Sequence, residues 1–256
     1  MSEYITLDTQ SLLMAVGFLL PPLILNFYLR LELGRDLLVS TIRCYLQLLL
    51  LGYLLESVFD LKGVLLILVV YGFMCSFAVH HICRLNRDLS YPLLIPTAVS
   101  VFLTGFLMTC LVTHLVGVQP WHKARYFIPL GGMILGNSMN GIVLAYHRYF
   151  KEISLRRDEV MELLSLGASA WESARDSIRS ALQAGLIPAI NSTATAGIVW
   201  IPGIMTGQVL SGIDPMEAAR YQILVFLMIL GAVGLGIGLC ILLAYKLPYK
   251  DETLRD

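Results

Sequence analysis

Amide, hydroxyl and thioether side chains inside apolar stretches are costly to place, so they mark where chemistry can happen. Two such groups stand out. One is Met133, Asn137, Ser138, Met139 and Asn140; the other is Asn191, Ser192, Thr193 and Thr195, followed by Pro202 and Met205. Thioether and amide ligands suit a soft or transiently bound metal and do not make a tight ferric site. Carbonyls freed near Pro202 and Gly203 are expected to line a cavity. Asn side chains also bond across packed helices, so for Asn137, Asn140 and Asn191 packing and substrate contact both stand. Met133, Asn137, Ser138, Met139, Asn140, Asn191, Thr195, Pro202 and Met205 are therefore the candidate substrate pathway, with no metal ligand set specified. Gly132-x-x-x-Gly136 and Gly234-x-x-x-Gly238 read as packing faces. His80 and His81, at the end of the third apolar run, and His114 and His122 read as interface anchors or as an entry point for metal.

Enzymatic chemistry has little support. The chain holds no H-E-x-x-H and no G-x-S-x-G, so no catalytic residue is assigned. It also lacks G-x-x-x-x-G-K-[ST], so no cofactor is expected on this chain; if ATP drives it, another polypeptide binds ATP and Mg.

The elements that must position these residues are membrane helices. Of 256 residues, 57% are hydrophobic and 14% charged, with zero formal net charge and a mean hydropathy of +0.75. Soluble chains average about 25% charged residues, so the composition points to lipid. The neutral balance gives no sign of nucleic-acid binding. The acidic start, with Glu3 and Asp8 and no cation before residue 10, predicts a retained first helix and no cleaved signal. The five cysteines, Cys44, Cys75, Cys83, Cys110 and Cys240, fall in or beside apolar runs without a C-x-x-C pair and read as packing groups.

A crossing helix needs about 20 apolar residues. Seven stretches qualify, at 11–29, 37–59, 62–83, 92–117, 126–147, 188–211 and 221–245, the sixth being interrupted by polar residues, Pro202 and glycines. With the N-terminus outside, thirteen cations fall in cytoplasmic segments: Arg30, Arg35, Arg84, Arg87, Arg148, Lys151, Arg156, Arg157, Arg175, Arg179, Lys246, Lys250 and Arg255. Four fall outside: Lys62, Lys123, Arg125 and Arg220. The excess predicts N-terminus out and C-terminus in. The expected fold is all-α, a single transmembrane permease domain over 1–256 in the cell inner (plasma) membrane.

One connection is long. In 148–187, Val160, Leu164, Trp171, Ala174, Ile178 and Leu182 recur on one helical face, opposite a charged face. Gly167 fits a helix C-terminus, and Ser169-x-x-Glu172 is a capping box that starts another helix. The pattern predicts helix, glycine turn, capped helix. It suits either a helix resting on lipid headgroups or a docking element for a cytoplasmic protein; the break at Gly167 favours docking.

The run Glu162-Leu163-Leu164-Ser165-Leu166-Gly167-Ala168-Ser169, with Ile187-Pro188 about twenty residues later, resembles the coupling motif of ABC permeases. The stretch from Ile128-Pro129-Leu130-Gly131-Gly132 to Met139 is similar to the FetB-type permeases. So are Gly197 to Gly207, Gly212-Ile213-Asp214-Pro215 and Tyr221-Gln222-Ile223. That family includes bacterial iron exporters and plant aluminium-tolerance permeases. The resemblance implies a permease subunit that exports iron or a related metal ion, pairs with a second permease copy, and is driven by a cytoplasmic ABC ATPase. It implies that Glu162, Leu166, Gly167, Ala168, Ser169, Glu172 and Arg175 couple to that ATPase. The plant branch implies a nucleotide sugar instead. A gradient-driven transporter of a small solute is the alternative from another class, but such proteins carry midplane acids and this chain has none.

Overall fold

The computed structural model describes residues 8–60, 63–89 and 91–250. Lys62 and Arg255, two cations of the loop count, and Glu3 lie outside them. The described elements are helical, with one isolated bridge between Ala196 and Trp200. Six helical stretches are long and apolar enough to cross a membrane: Gln10–Leu29, Gly34–Leu54, Val64–Leu85, Leu94–Leu115, Ala124–Leu155 and Pro215–Tyr249.

The chain divides into two units, Met1–Leu61 and Lys62–Asp256. In the first, α1 (Thr9–Ala15), a 3₁₀ turn and α2 (Leu20–Leu29) form one run, with prolines at the start of α2 where no helical N–H is needed. Arg30 and Glu32 take positive φ, and Asn26 Oδ1 accepts the Leu33 amide at 2.8 Å, turning the chain into α3 (Gly34–Phe59). A Cβ on Gly34 would stand 2.9 Å from Asn26 Nδ2, so a larger residue there would displace the Asn26 side chain. Leu46, Leu48, Leu49 and Leu50 are exposed, as a lipid-facing helix requires.

The second unit is built from α4 (Val64–Leu85), α5 (Leu94–Leu115), α6 (Ala124–Leu155), α7 (Arg157–Ser165), α8 (Ala170–Thr195), α9 (Gly203–Leu210), α10 (Pro215–Ala244) and the short α11 (Leu247–Lys250). α5 turns a buried face of Thr97, Ser100, Thr104, Thr109 and Thr113 toward its neighbours. Thr104, Thr109 and Thr113 donate to carbonyls four residues back, at 2.6, 2.7 and 3.0 Å, which satisfies them without water. Tyr71 of α4 and Tyr146 of α6 reach Thr109 and Thr97, each at 3.2 Å. All five cysteines are free, with Cys75 and Cys240 buried.

Two expectations need correction. The stretch 188–211 is not one helix, and it is not among the six candidate spans. α8 ends at Thr195, Ala196 is extended, Gly197 has φ +80°, and α9 begins after Pro202. Nor does a helix open at Pro188. α8 passes through it continuously from Ala170, leaving the Ala184 carbonyl without its helical donor.

The glycine pattern agrees with the sequence reading in part: Met74 Cε and Leu186 Cδ2 lie 3.2 and 3.7 Å from where a Cβ would stand at Gly132 and Gly234. No heavy atom lies within 4 Å of where a Cβ would stand at Gly136 or Gly238. The close approach is between Gly141 of α6 and Gly185 of α8. Arg148 Nε donates to Ser180 Oγ at 2.8 Å further along the same pair, so α6 and α8 run antiparallel.

Candidate functional site

Because α6 and α8 are antiparallel, the two polar groups of the sequence meet. Met133 and Asn137 of α6 face Ala189 and Ser192 of α8 across a cavity of about 210 Å³, closed by Trp200, Pro202, Gln222 and Phe226. A neighbouring cavity of about 300 Å³ is lined by Thr193, Pro202, Met205, Gln222 and Phe226. Pro202, Gln222 and Phe226 belong to both.

The broken stretch after α8 shapes this region. Thr195 Oγ1 accepts Trp200 Nε1 at 3.1 Å, and the Gly197 amide donates to the Trp200 carbonyl at 2.9 Å. This pins the indole against Phe226, ring centroids 6.1 Å apart and edge to face. The Pro202 carbonyl is not free as expected. It accepts the Thr206 amide at 2.9 Å and the Thr206 hydroxyl at 3.1 Å, capping α9.

What remains open for a solute is a short set of neutral groups. Asn137 Nδ2 donates to the Met133 carbonyl at 2.8 Å, which leaves its Oδ1 available. Gln222 is only 6% exposed, yet its Oε1 has no hydrogen-bond partner. A buried amide oxygen left unpaired is expensive, so a hydrogen bond from a passing solute would be favourable there. Sequence reasoning passed over Gln222 except as part of Tyr221-Gln222-Ile223; an amide two turns into a long apolar helix was the available signal.

Of the nine pathway residues, Met133, Asn137, Pro202 and Met205 line the cavities. Ser138 is buried on another side of α6, where a Cβ on Gly236 would stand 3.6 Å from its Cβ. Asn140 and Asn191 are exposed, Met139 is half-buried, and Thr195 holds the turn. Among the described residues, no group of three or more His, Cys, Asp or Glu side chains could hold a metal ion.

At the opposite end of α8 lies the helix–turn–helix. The amides of Gly167 and Ala168 donate back to Leu164 and Leu163, both at 3.0 Å, and Gly167 has φ +91°: a Schellman ending. Ser169 then caps α8. Glu172 Oε2 accepts the Ser169 amide at 2.8 Å and its hydroxyl at 2.7 Å, and the Glu172 amide donates to Ser169 Oγ at 3.3 Å. These bonds, the backbone one first, hold the Glu172 carboxyl below the usual carboxylate range. Arg156 grips Glu159 through two bonds of 2.8 and 2.6 Å and reaches Asp176 at 3.3 Å, joining α7 to α8. The Arg156 hydrogen bonds likewise pull the Glu159 carboxyl down.

On the predicted apolar face Val160, Ala174 and Ile178 are buried, Leu164 and Leu182 half-buried and Trp171 exposed; Leu166 is 78% exposed, and Met161, Glu162, Glu172 and Arg175 are exposed as well. Trp171 stacks edge to face on Tyr245, centroids 5.4 Å apart, and the Ser173 and Tyr249 hydroxyls are 2.9 Å apart. The element is thus seated on the end of α10 and on α11.

The family model described as Uncharacterised protein family (UPF0014) matches residues 9–249. The chain belongs to this family. Its relatives in the family include the probable iron export permease protein FetB of Escherichia coli, 29% identical over 96% of this chain and 94% of the relative. The UPF0014 membrane protein YjkA of Bacillus subtilis is 31% identical over 86% of each chain. The protein ALUMINUM SENSITIVE 3 of Arabidopsis thaliana is 30% identical over 85% of this chain and 79% of its own. No solved structure matches. The family and the apolar helices make this a multi-pass membrane protein.

Proposed function

We propose that this UPF0014 chain is the permease subunit of an ABC exporter that moves iron or a related metal ion out of the cell, using ATP hydrolysed with Mg on a separate cytoplasmic subunit. The observation that carries the reading is the continuity of α8. One 26-residue helix joins the exposed tip at Gly167 to the cavity at Ser192 and Thr193. At 1.5 Å per residue it is about 39 Å long. A push at its capped end is therefore carried along one continuous helix to the wall of the cavity.

Several features support the rest. FetB carries iron export in its printed name. The neutral, thioether- and amide-bearing cavity suits a briefly held cargo better than a resident metal. The cavity linings contain no Asp, Glu, His, Lys or Arg among the described residues, which disfavours proton-coupled transport. Glu162, Leu166, Gly167, Ala168, Ser169 and Glu172 form the ATPase contact. Two copies of the permease pair in the inner membrane, each a single domain with its N-terminus outside and the tip in the cytoplasm. The broken stretch 188–211, entered through α8, supplies the remaining crossing.

The test is co-purification of the tagged chain in mild detergent. A stoichiometric soluble ATPase, lost on Gly167→Pro and stimulated by metal, bears the reading out. Recovery of the chain with no ATPase at all would sink it.

A further inference from the structure

One flank of α8 carries a shallow, open groove, and every residue lining it belongs to α8. The groove is graded along its length. Trp171, Arg175 and Arg179 stand at one end; Leu186, Ile187 and Ile190 stand at the other, with Ile187 and Ile190 51% and 50% exposed. Arg175 and Arg179 are one helical turn apart and both exposed. Nearby Arg148 and Arg156 are held by carboxylates. Neither Arg175 nor Arg179 has a hydrogen-bond or ion-pair partner among the described residues.

The pairing with α6 places this gradient against the bilayer. Ser180 is bonded to Arg148, beside Lys151 and Glu152 where α6 turns charged, so Arg179 is at the membrane edge. Gly185 lies against Gly141 within the apolar part. From Arg179 to Ile190 is about 16 Å of helix, close to half of a hydrocarbon core about 30 Å thick. A groove with two free guanidiniums at the headgroup level and aliphatic walls one leaflet deep has the dimensions of a lipid.

We propose that this flank of α8 binds one anionic phospholipid. Arg175 and Arg179 hold the phosphate, which guanidiniums bind through paired N–H donors. An acyl chain covers Leu186, Ile187 and Ile190. The phosphate also relieves the repulsion of two like charges at i and i+4. A second copy is a poorer occupant, because a two-fold contact through this flank would set the arginines of both copies against each other. The assignment moves Arg175 from the docking tip to the membrane edge, and it does not depend on the ATPase reading.

The experiment is native mass spectrometry of the purified full chain in mild detergent, titrated with phosphatidylglycerol or with phosphatidylcholine of the same acyl chains. Phosphatidylglycerol should bind at least about tenfold more tightly. Arg175→Gln with Arg179→Gln should abolish that preference, bringing phosphatidylglycerol down to the affinity of phosphatidylcholine, and leave helical content unchanged. Arg220→Gln, which removes a cation from the start of α10, should keep it. Ile187→Trp should weaken both lipids severalfold by filling the acyl end. Equal binding of the two lipids by the wild type, or an undiminished preference in the double variant, overturns the proposal. So does a two-chain species that the double variant loses while its lipid preference stays, which would assign the flank to a second copy.

Discussion

Gly141 and Gly185 touch backbone to backbone: a Cβ on Gly185 would stand 2.7 Å from the Gly141 carbonyl oxygen and 2.6 Å from Ile237 Cδ1. This contact sets the register of α6 against α8, and through it the meeting of Met133 and Asn137 with Ala189 and Ser192. The carbonyl is fixed backbone and cannot give way as a flexible side chain would.

Gly185→Ala should therefore destabilise the chain by about 1–3 kcal/mol through overpacking and lower transport as well. Gly136→Ala, where no atom lies within 4 Å, should be neutral or slightly stabilising. Thermal unfolding of both variants in detergent makes the comparison. Equal melting temperatures would mean the helices separate at no cost.

Gln222→Leu should insert and melt at least as well as wild type but transport at least about fivefold more slowly, since a cation or its bound water that meets the buried amide oxygen relieves an unsatisfied group costing about 1–3 kcal/mol. Asn191→Leu, an exposed position outside both cavity linings, should transport within about twofold of wild type. Metal efflux from loaded vesicles measures both. The reverse ranking would move the pathway to the other face of α8.

Gly167→Pro removes the amide that closes the Schellman turn and forbids the positive φ, and Glu162→Lys reverses charge at the tip. Gly167→Pro should lose the ATPase partner, and Glu162→Lys should leave ATPase turnover no longer stimulated by cargo, with the protein still in the membrane in both cases. Export at the wild-type rate in both variants would remove the tip from the mechanism.

Ser169→Ala should cost about 1 kcal/mol through loss of the cap, and its effect should depend on pH. Glu172 has a folded pKa below its unfolded value, so its stabilisation is complete above the ordinary carboxylate range and is lost as pH falls through the folded value. Melting curves at neutral and acid pH should show the wild-type advantage shrinking in acid. A constant difference would mean the carboxylate takes no part in the cap.

The sequence alone determined what depends on local composition and short-range geometry. Of the seven stretches marked by hydropathy, six coincide with helices long and apolar enough to cross, because lipid demands about 20 apolar residues in each whatever the fold around them. The glycine turn and the Ser169–Glu172 cap were legible because each is completed within a few residues. Only the tertiary structure decided the rest. Neither Gly141 nor Gly185 sits in a recognisable pattern; their contact spans forty-four residues of chain and exists only when α6 and α8 pair. Asn137 and Ser138 are adjacent in sequence, yet one faces the cavity and the other the core, since neighbours on a helix point about 100° apart. Gln222 was passed over in the sequence because its place beside α8, the Trp200 turn and α9, with its oxygen left without a partner, exists only in the folded chain.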